Sequence, residues 1–414
     1  MVNTAWLFPG QGSQYVGMGS AWFARFDGAK ALFEEASDVA GYDMKALCFE
    51  GSAARLSRTS FTQPALLTVS VLASRVYLYE IGVEPRYSAG HSLGEYSALV
   101  GSGVLSFAEA LGLVIQRGRF MEEAAEAGIG SMIAVRTNDQ PMLEELCRRY
   151  SADGQPAAIA GYNSGSQLVV SGHRNAVAGV AEELERLGVE VTRLAVSGPF
   201  HSVLMQPAAE SLEEALNKVT FRDGRWPVIS NTTGLPYPDA QAIRRGLVDQ
   251  MTTPVRWLQT VQFLAEEGIE LAVELGPRTV LKNLTRDNSE QIRPYAYDRE
   301  ADAGQLAELY PVLQFIEEGY SAAVSAPNAN WNEEEYAQGV LEPVRRVREM
   351  LNAYTESGGS VRDVYGLRQD VLECVQRVLR TKKVSAKEQN ETIRRLFTSS
   401  FAKKTCNTGI TAEG

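Results

Sequence analysis

Five residues, Gly90-His91-Ser92-Leu93-Gly94, constrain this chain more than any other stretch. They fit G-x-S-x-G, a turn in which a strand gives way to a helix within a residue or two, because the flanking glycines lack the Cβ atoms that would block so tight a bend. Such an elbow stands Ser92 Oγ above a sheet edge. It also sets the backbone N–H of Leu93 at a helix N-terminus, where unpaired donors favour a developing oxyanion. A glycine-bounded turn with a surface serine satisfies the same five letters. The surroundings favour the elbow, with an apolar helical stretch at 62–81 and a short strand before it and an amphipathic helix after it.

At 414 residues the chain exceeds one average domain, so a large catalytic domain with an appended part is expected. Its 44% hydrophobic content is ample for a core, and the most apolar window, 64–83, carries Arg75 and Glu80 and reads as a buried helix rather than a membrane span. The first ten residues have no basic region and meet Pro9-Gly10 too soon for a signal peptide. Cys48, Cys147, Cys374 and Cys406 form no C-x-x-C pair, which argues against disulfides and zinc and fits a reducing cytoplasm. The net charge of −11 is uneven. Residues 340–414 hold 14 Lys and Arg against 9 Asp and Glu, a balance of +5 that leaves −16 on the rest, so the body is not expected to attract nucleic acid.

An apolar strand at 4–8 runs into Pro9-Gly10-Gln11-Gly12-Ser13-Gln14, setting Gln11 at the carboxyl edge of a sheet, where α/β proteins bind ligands. The loop lacks the lysine and spacing of a phosphate loop and does not match G-x-G-x-x-G. A plain glycine turn remains open, as does Gln11 acting as a second oxyanion donor or as a clamp near Ser92. Helical patterns fill 20–40, 62–81 and 106–127. On the last of these, Arg119 has Glu122 and Glu123 at i+3 and i+4 and reads as a surface ion-pair residue. Arg117 instead has Leu113, Val114, Phe120 and Met121 at those offsets. Its guanidinium therefore needs a partner from elsewhere, either a distant acidic side chain or a ligand carboxylate that suits its bidentate fork.

Residues 129–197 read as strand 131–135, helix 139–150, strands 157–163 and 167–171, helix 174–187 and strand 189–195. That β-α-β-β-α-β order is the split motif of a ferredoxin-like unit, inserted so that a crevice forms beside the elbow half. Gly198-Pro199-Phe200-His201-Ser202 follows. The chain has only three histidines. His91 adjoins Ser92, where consecutive side chains diverge, and His173 reads as an exposed loop residue. His201, held in a Gly-Pro turn, is left as the base that a serine nucleophile requires, or as a helix-start histidine without chemistry. Strand 227–231, helices 239–251 and 254–267 and strands 271–275 and 292–297 complete a mainly parallel sheet. Beyond 300 the pattern is helical, at 304–319, 333–354, 361–380 and 386–403. Ser385 and Glu388 form a capping box there, and Val361, Val364, Leu367, Val371, Val375 and Val378 form an apolar stripe. Arg394, Arg395, Lys403 and Lys404 would face solvent or a partner.

With these residues in place, the chain resembles the malonyl-CoA:acyl carrier protein transacylases of fatty-acid synthesis and the discrete, trans-acting acyltransferases of polyketide and hybrid lipopeptide assembly lines. The resemblance spans about residues 3–300. It rests on Phe-Pro-Gly-Gln-Gly-Ser-Gln at 8–14, Gly-His-Ser-Leu-Gly-Glu at 90–95, Gln-Arg-Gly at 116–118, Gly-Pro-Phe-His-Ser at 198–202 and Glu-Leu-Gly-Pro at 274–277. It implies an α/β-hydrolase-like core at 1–128 and 198–300, a ferredoxin-like subdomain at 129–197 and, as a departure from the short housekeeping form, a helical C-terminal extension at 301–414. It also implies Ser92 as nucleophile, His201 as base, Gln11 and the Leu93 N–H as oxyanion hole, Arg117 as the grip on the malonyl carboxylate, and Gln250 as the residue whose backbone carbonyl orients the histidine. Malonyl would pass from malonyl-CoA to the phosphopantetheine thiol of a carrier protein in the cytoplasm, without metal, cofactor, nucleic acid or membrane. An editing thioester hydrolase on the same Ser-His pair and a carrier-protein docking scaffold are the alternatives.

Overall fold

The computed structural model describes residues 3–125, 128–152, 154–194, 198–359, 361 and 363–405, with side chains described to residue 396. Several expectations lie outside that set: the helix end at 127, the strand end at 195, Ser197, Cys406 and the side chains of Lys403 and Lys404.

The chain forms two compact units. The larger, Thr4–Ser74 with Pro85–Arg299, is a mixed α/β fold built on two sheets. Five parallel strands, β1 (Thr4–Phe8), β2 (Tyr87–Gly90), β7 (Val228–Ile229), β8 (Leu271–Glu274) and β9 (Arg293–Ala296), lie in the order β7-β2-β1-β8-β9. The central strand β1 is buried along its whole length, as expected of a parallel strand covered on both faces. Phe8 pairs with Gly90, and the His91 N–H extends the ladder by donating to the Phe8 carbonyl at 3.0 Å. The Gln11 loop and the Ser92 turn thus leave the same sheet edge side by side.

The second sheet is antiparallel: β3 (Gly130–Arg136), β4 (Ala157–Ser164), β5 (Gln167–His173) and β6 (Glu190–Arg193), in the order β4-β5-β3-β6. Helices Gln140–Tyr150 and Arg174–Arg186 pack on it through Leu143, Leu146, Val177 and Leu184 against Ile133, Val135 and Val170. The two sheets are joined where Val255 donates to the Ala160 carbonyl at 3.0 Å and Tyr162 donates to the Val255 carbonyl at 2.8 Å.

The smaller unit, Met1–Asn3, Arg75–Glu84 and Glu300–Gly414, is mainly helical among its described residues. Val364, Val371, Val375 and Val378 of the expected stripe are buried, the last three in one core with Phe315, Ile316 and Val347. Val361 lies outside the helix, which spans Val364–Thr381. The capping box forms as expected: Ser385 Oγ donates to Glu388 at 2.7 Å and accepts the Glu388 N–H at 3.3 Å. Two expected helices are interrupted for reasons that proline explains. Pro311 parts Glu300–Leu309 from Val312–Ser325, and a π-helical turn, Ala337–Leu341, comes just before Pro343, which has no N–H to continue the α ladder. The expected 20–40 helix likewise divides into Ser20–Arg25 and Ala29–Ala40 around Asp27-Gly28. Helices Met44–Phe49, Ala53–Leu56 and Val280–Asn288 were not expected from the sequence pattern.

Among the described residues, no helix is long and apolar enough to cross a membrane. Cys48, Cys147 and Cys374 are buried free thiols.

Lys382 is 4% exposed, and its Nζ donates to the carbonyls of Ala323, Val324 and Ala326 at 2.9, 3.1 and 2.9 Å, satisfying the end of helix Val312–Ser325. Lys382→Met, which keeps the stem and deletes the donors, should lower stability by about 1–3 kcal/mol in urea unfolding followed by circular dichroism. Unchanged stability would mean that water serves those carbonyls equally well.

Candidate active site

The elbow is real. Gly90 ends β2, helix Gly94–Ser102 begins at the next glycine, and Ser92 between them adopts φ +53°. A Cβ on Gly90 would run into the Gly94 backbone, and one on Gly94 into the Phe8 carbonyl, so both glycines are required by close approach. One side chain closes the turn. Asn231, after β7, accepts the Ser92 N–H at 2.6 Å and donates through Nδ2 to the Gly90 carbonyl at 2.6 Å.

His201 also has positive φ, +58°, in the turn that Ser202 ties back by donating to the Pro199 carbonyl at 2.6 Å. Its Nε2 lies 2.8 Å from Ser92 Oγ and its Nδ1 2.8 Å from the Gln250 carbonyl. A carbonyl only accepts, so Nδ1 carries the proton and the Nε2 lone pair faces the serine hydroxyl. Burial is the main cause holding the imidazole well below its ordinary 6.5, at about 3. The Arg117 charge acts in the same direction, and the hydrogen bond to Gln250 partly opposes both.

Arg117 is 1% exposed. Its Nη2 donates to Gln250 Oε1 at 2.9 Å and to Ser92 Oγ at 3.3 Å, and the guanidinium lies 5.7 Å from the Tyr96 ring centroid. Gln250, just past helix Ala240–Asp249, turns its Nε2 to Glu95 at 2.5 Å and to the Ser92 carbonyl at 3.1 Å. Glu95 is fully buried and also accepts from Tyr237 Oη and from the Asn231 N–H. Burial pushes its carboxyl up to about 7, against the pull of those donors and of Arg117.

Gln11 is half-buried, and its Nε2 donates to Thr59 Oγ1 at 3.2 Å. Its main-chain N–H is a further donor at this loop. Among the described residues, neither that N–H nor the Leu93 N–H meets a protein acceptor. Gln11, Ser92, Leu93, Arg117 and His201 all line one cavity of about 320 Å³. Its far wall comes from the antiparallel sheet through Met132, Ala134, Ala160 and Val169. Val280, Leu281 and Leu284 line it as well, and buried Glu274 fixes their helix by accepting the N–H groups of Leu281 and Lys282 at 3.0 and 2.8 Å. That contact gives a physical use for Glu-Leu-Gly-Pro at 274–277.

The other expectations divide. His91 turns away from Ser92, its Nε2 lying 2.9 Å from Asn163 Oδ1. His173 is no loop residue: it ends β5 and caps helix Arg174–Arg186, accepting the Asn175 N–H at 3.3 Å. Arg119 is exposed but does not hold Glu122, which turns to Arg58 at 3.4 Å and to the Ser60 N–H at 3.1 Å. Sequence reasoning missed Glu95, Asn231 and Tyr237. Glu95 stood inside a quoted motif, but an acid in a helix's first turn reads equally as a partner of the helix dipole.

Residues 5–327 match the acyl transferase domain family. The chain is similar to a malonyl CoA-acyl carrier protein transacylase of Bacillus subtilis, 46% identical over 308 residues that cover 74% of this chain and 77% of that protein. Among solved structures it is similar to the malonyl-CoA:acyl carrier protein transacylase of Xanthomonas oryzae pv. oryzae, with TM-score 0.72 and 37% identity over 75% of this chain and 99% of that one. It is also similar to a structure of a type II polyketide synthase acyl-carrier protein in complex with its malonyl-transacylase, with TM-score 0.71 and 39% identity over 74% of this chain and 99% of that one.

The depressed histidine carries a direct expectation. A pKa lowered from 6.5 means that the neutral form persists as pH falls, so at about pH 5 the His201 ring should still hold its single proton on Nδ1. Long-range ¹H–¹⁵N spectra of a chain with three histidines, assigned with His201→Gln, test this. A midpoint near 6.5 would contradict the buried, Arg117-facing geometry.

Proposed function

Because the chain belongs to the acyl transferase family, we infer that it moves malonyl from malonyl-CoA to the phosphopantetheine thiol of an acyl carrier protein through a malonyl-Ser92 ester. The observation that carries this reading is the meeting of Ser92, His201 and Arg117 at one cavity. In the first half-reaction the Ser92 Oγ proton passes to His201 Nε2 as Oγ attacks the thioester carbonyl. The oxyanion is held by the N–H groups of Gln11 and Leu93, and loss of one such donor costs on the order of 10²–10³ in rate. Collapse breaks the C–S bond, and the His201 proton leaves on the CoA sulfur. In the second, the carrier's thiol gives its proton to His201, its sulfur attacks the ester, and Ser92 Oγ departs and recovers the proton. The Gln250 carbonyl holds the imidazole in the required tautomer throughout. Neither half-reaction calls on a metal or a tightly held cofactor.

Arg117 selects and anchors the substrate: a guanidinium sealed from water gains a carboxylate ligand at little competing hydration. The same cation argues against an editing hydrolase of uncharged acyl groups. We further read the parallel sheet with its elbow as an α/β-hydrolase-like core, supported by the strand-Ser92-helix turn. The antiparallel order β4-β5-β3-β6 with its two helices supports a ferredoxin-like subdomain. The division into 1–128 with 198–300, 129–197 and 301–414, a cytoplasmic setting, and service to a polyketide or lipopeptide assembly line belong to the same proposal.

Residues 340–414, with their balance of +5, suit contact with an acidic carrier domain. Arg377, Arg380 and Lys383 line one groove with Asn330 and a single carboxylate, Glu335, and the neighbouring Trp331 is 86% exposed.

Two outcomes follow. Arg117→Ala should lower the malonyl-to-acetyl loading ratio roughly 10- to 100-fold, as expected for loss of a charge-assisted pair, measured as acyl-enzyme by intact mass. A malonyl-enzyme that hydrolyses as fast as it forms would instead favour the hydrolase. Arg380→Glu with Lys383→Glu should slow transfer to the carrier at low salt while Ser92 still loads from malonyl-CoA. Equal transfer rates at low and moderate salt would remove the docking role.

A further inference from the structure

We propose that the Gln250 side chain, clamped from behind by Glu95, is the positioning element that aims Arg117 at an incoming carboxylate. This rests on the reading of Arg117 as the selector and adds a second residue to that task. Gln250 is already placed behind the base through its main-chain carbonyl; its carboxamide faces a different group.

The orientation of that carboxamide follows from its neighbours. Arg117 can only donate, so the amide oxygen must face Nη2, at 2.9 Å. The amide nitrogen then meets Glu95 Oε2 at 2.5 Å and the Ser92 carbonyl at 3.1 Å, both acceptors. Tyr237 Oη and the Asn231 N–H converge on Glu95 Oε1, so three donors fix the carboxyl that fixes the amide. The result is a relay from guanidinium to neutral amide to carboxyl, all buried, in which acid and base never touch.

That separation is what a selector requires. A direct carboxylate on Arg117 would fill its fork, and a substrate carboxylate would have to displace it. A neutral oxygen on Nη2, which also reaches Ser92 Oγ at 3.3 Å, leaves no carboxylate on the fork, and among the described residues Arg117 Nε has no acceptor. The distant carboxyl still offsets the buried positive charge across one amide.

Gln250→Met keeps the main-chain carbonyl behind His201 and deletes the amide; Gln250→Glu sets a carboxylate directly on Arg117. Acylation of the full chain by malonyl-CoA and acetyl-CoA is followed by rapid-quench intact mass. Gln250→Met should lower the malonyl-to-acetyl kcat/KM ratio roughly tenfold, chiefly through malonyl KM, and Gln250→Glu at least as far. In an Arg117→Ala background, Gln250→Met should move that ratio no further, because both act on one contact. If Gln250→Met does not fold, Gln250→Glu decides. Parallel losses for both acyl groups, or a ratio retained in the Gln250 variants while Arg117→Ala loses it, overturn the proposal. A ratio retained in Arg117→Ala itself sinks the underlying reading of the selector instead.

Discussion

Ser92 sits in the left-handed backbone region because everything around it leaves the chain nowhere else to go. Two glycines allow the backbone to fold onto itself and onto the end of β1, and Asn231 grips both sides of the bend. A non-glycine residue held there costs on the order of 1–3 kcal/mol, which persists only where the surroundings over-determine the geometry. His201 carries the same strain, and the two meet across a 2.8 Å contact. The local cost at each turn is what sends Oγ and Nε2 toward each other rather than along their own chains.

Behind this pair the chain buries polar groups at high density. Arg117 and Glu95 are nearly or wholly excluded from solvent, and an isolated charge in such a place is expensive. The site tolerates them because each is hydrogen-bonded through intermediates rather than left to pair directly. The consequence for the base is electrostatic. A neutral carbonyl on Nδ1 fixes the tautomer without adding a negative charge, and its upward pull on the imidazole is outweighed by burial and by the Arg117 charge. It therefore rests neutral, with its acceptor lone pair on the serine, the state that the proposed role of general base needs.

How much of this was legible before the structure depends on the range over which each residue's role is set. The elbow is a local event, and five adjacent letters encode it. His201 emerged by elimination, because three histidines leave few choices and neighbouring side chains at a tight turn diverge. Arg117 was visible as an anomaly: helical spacing put only apolar side chains beside it, so its partner had to come from afar. Glu95, Asn231 and Tyr237 were not visible because nothing local distinguishes them. An acid at a helix start, an asparagine after a strand and a tyrosine in a loop are ordinary residues until tertiary folding brings them onto one amide. The Gln11 side chain illustrates the converse. Its loop was correctly placed at the sheet edge, yet the partner of its side-chain amide, Thr59, lies 48 residues away. Short helices such as Met44–Phe49 and Val280–Asn288 escaped because so few turns give periodicity little to act on, and the second is started by a buried acid from β8 rather than by its own cap.

The two sheets divide the labour of the site, and that division explains why the inserted strands cannot be a passive ornament. The parallel sheet supplies Ser92, the N–H groups of Gln11 and Leu93 and, through Asn231, the clasp of the elbow. Without a cover these groups would face water, where a hydrogen bond to an oxyanion is worth far less and an ester is open to hydrolysis. The antiparallel sheet supplies the apolar far wall through Met132, Ala134, Ala160 and Val169, and is pinned to the parallel core by the paired bonds at Val255. His201 follows directly on the chain's return from that insert. The turn that carries the histidine brings its Nε2 to 2.8 Å from Ser92 Oγ. A cavity of about 320 Å³ between the two walls then has one apolar side to exclude water and one polar side to hold charge, an arrangement that fits the proposed transfer of a small acidic acyl group.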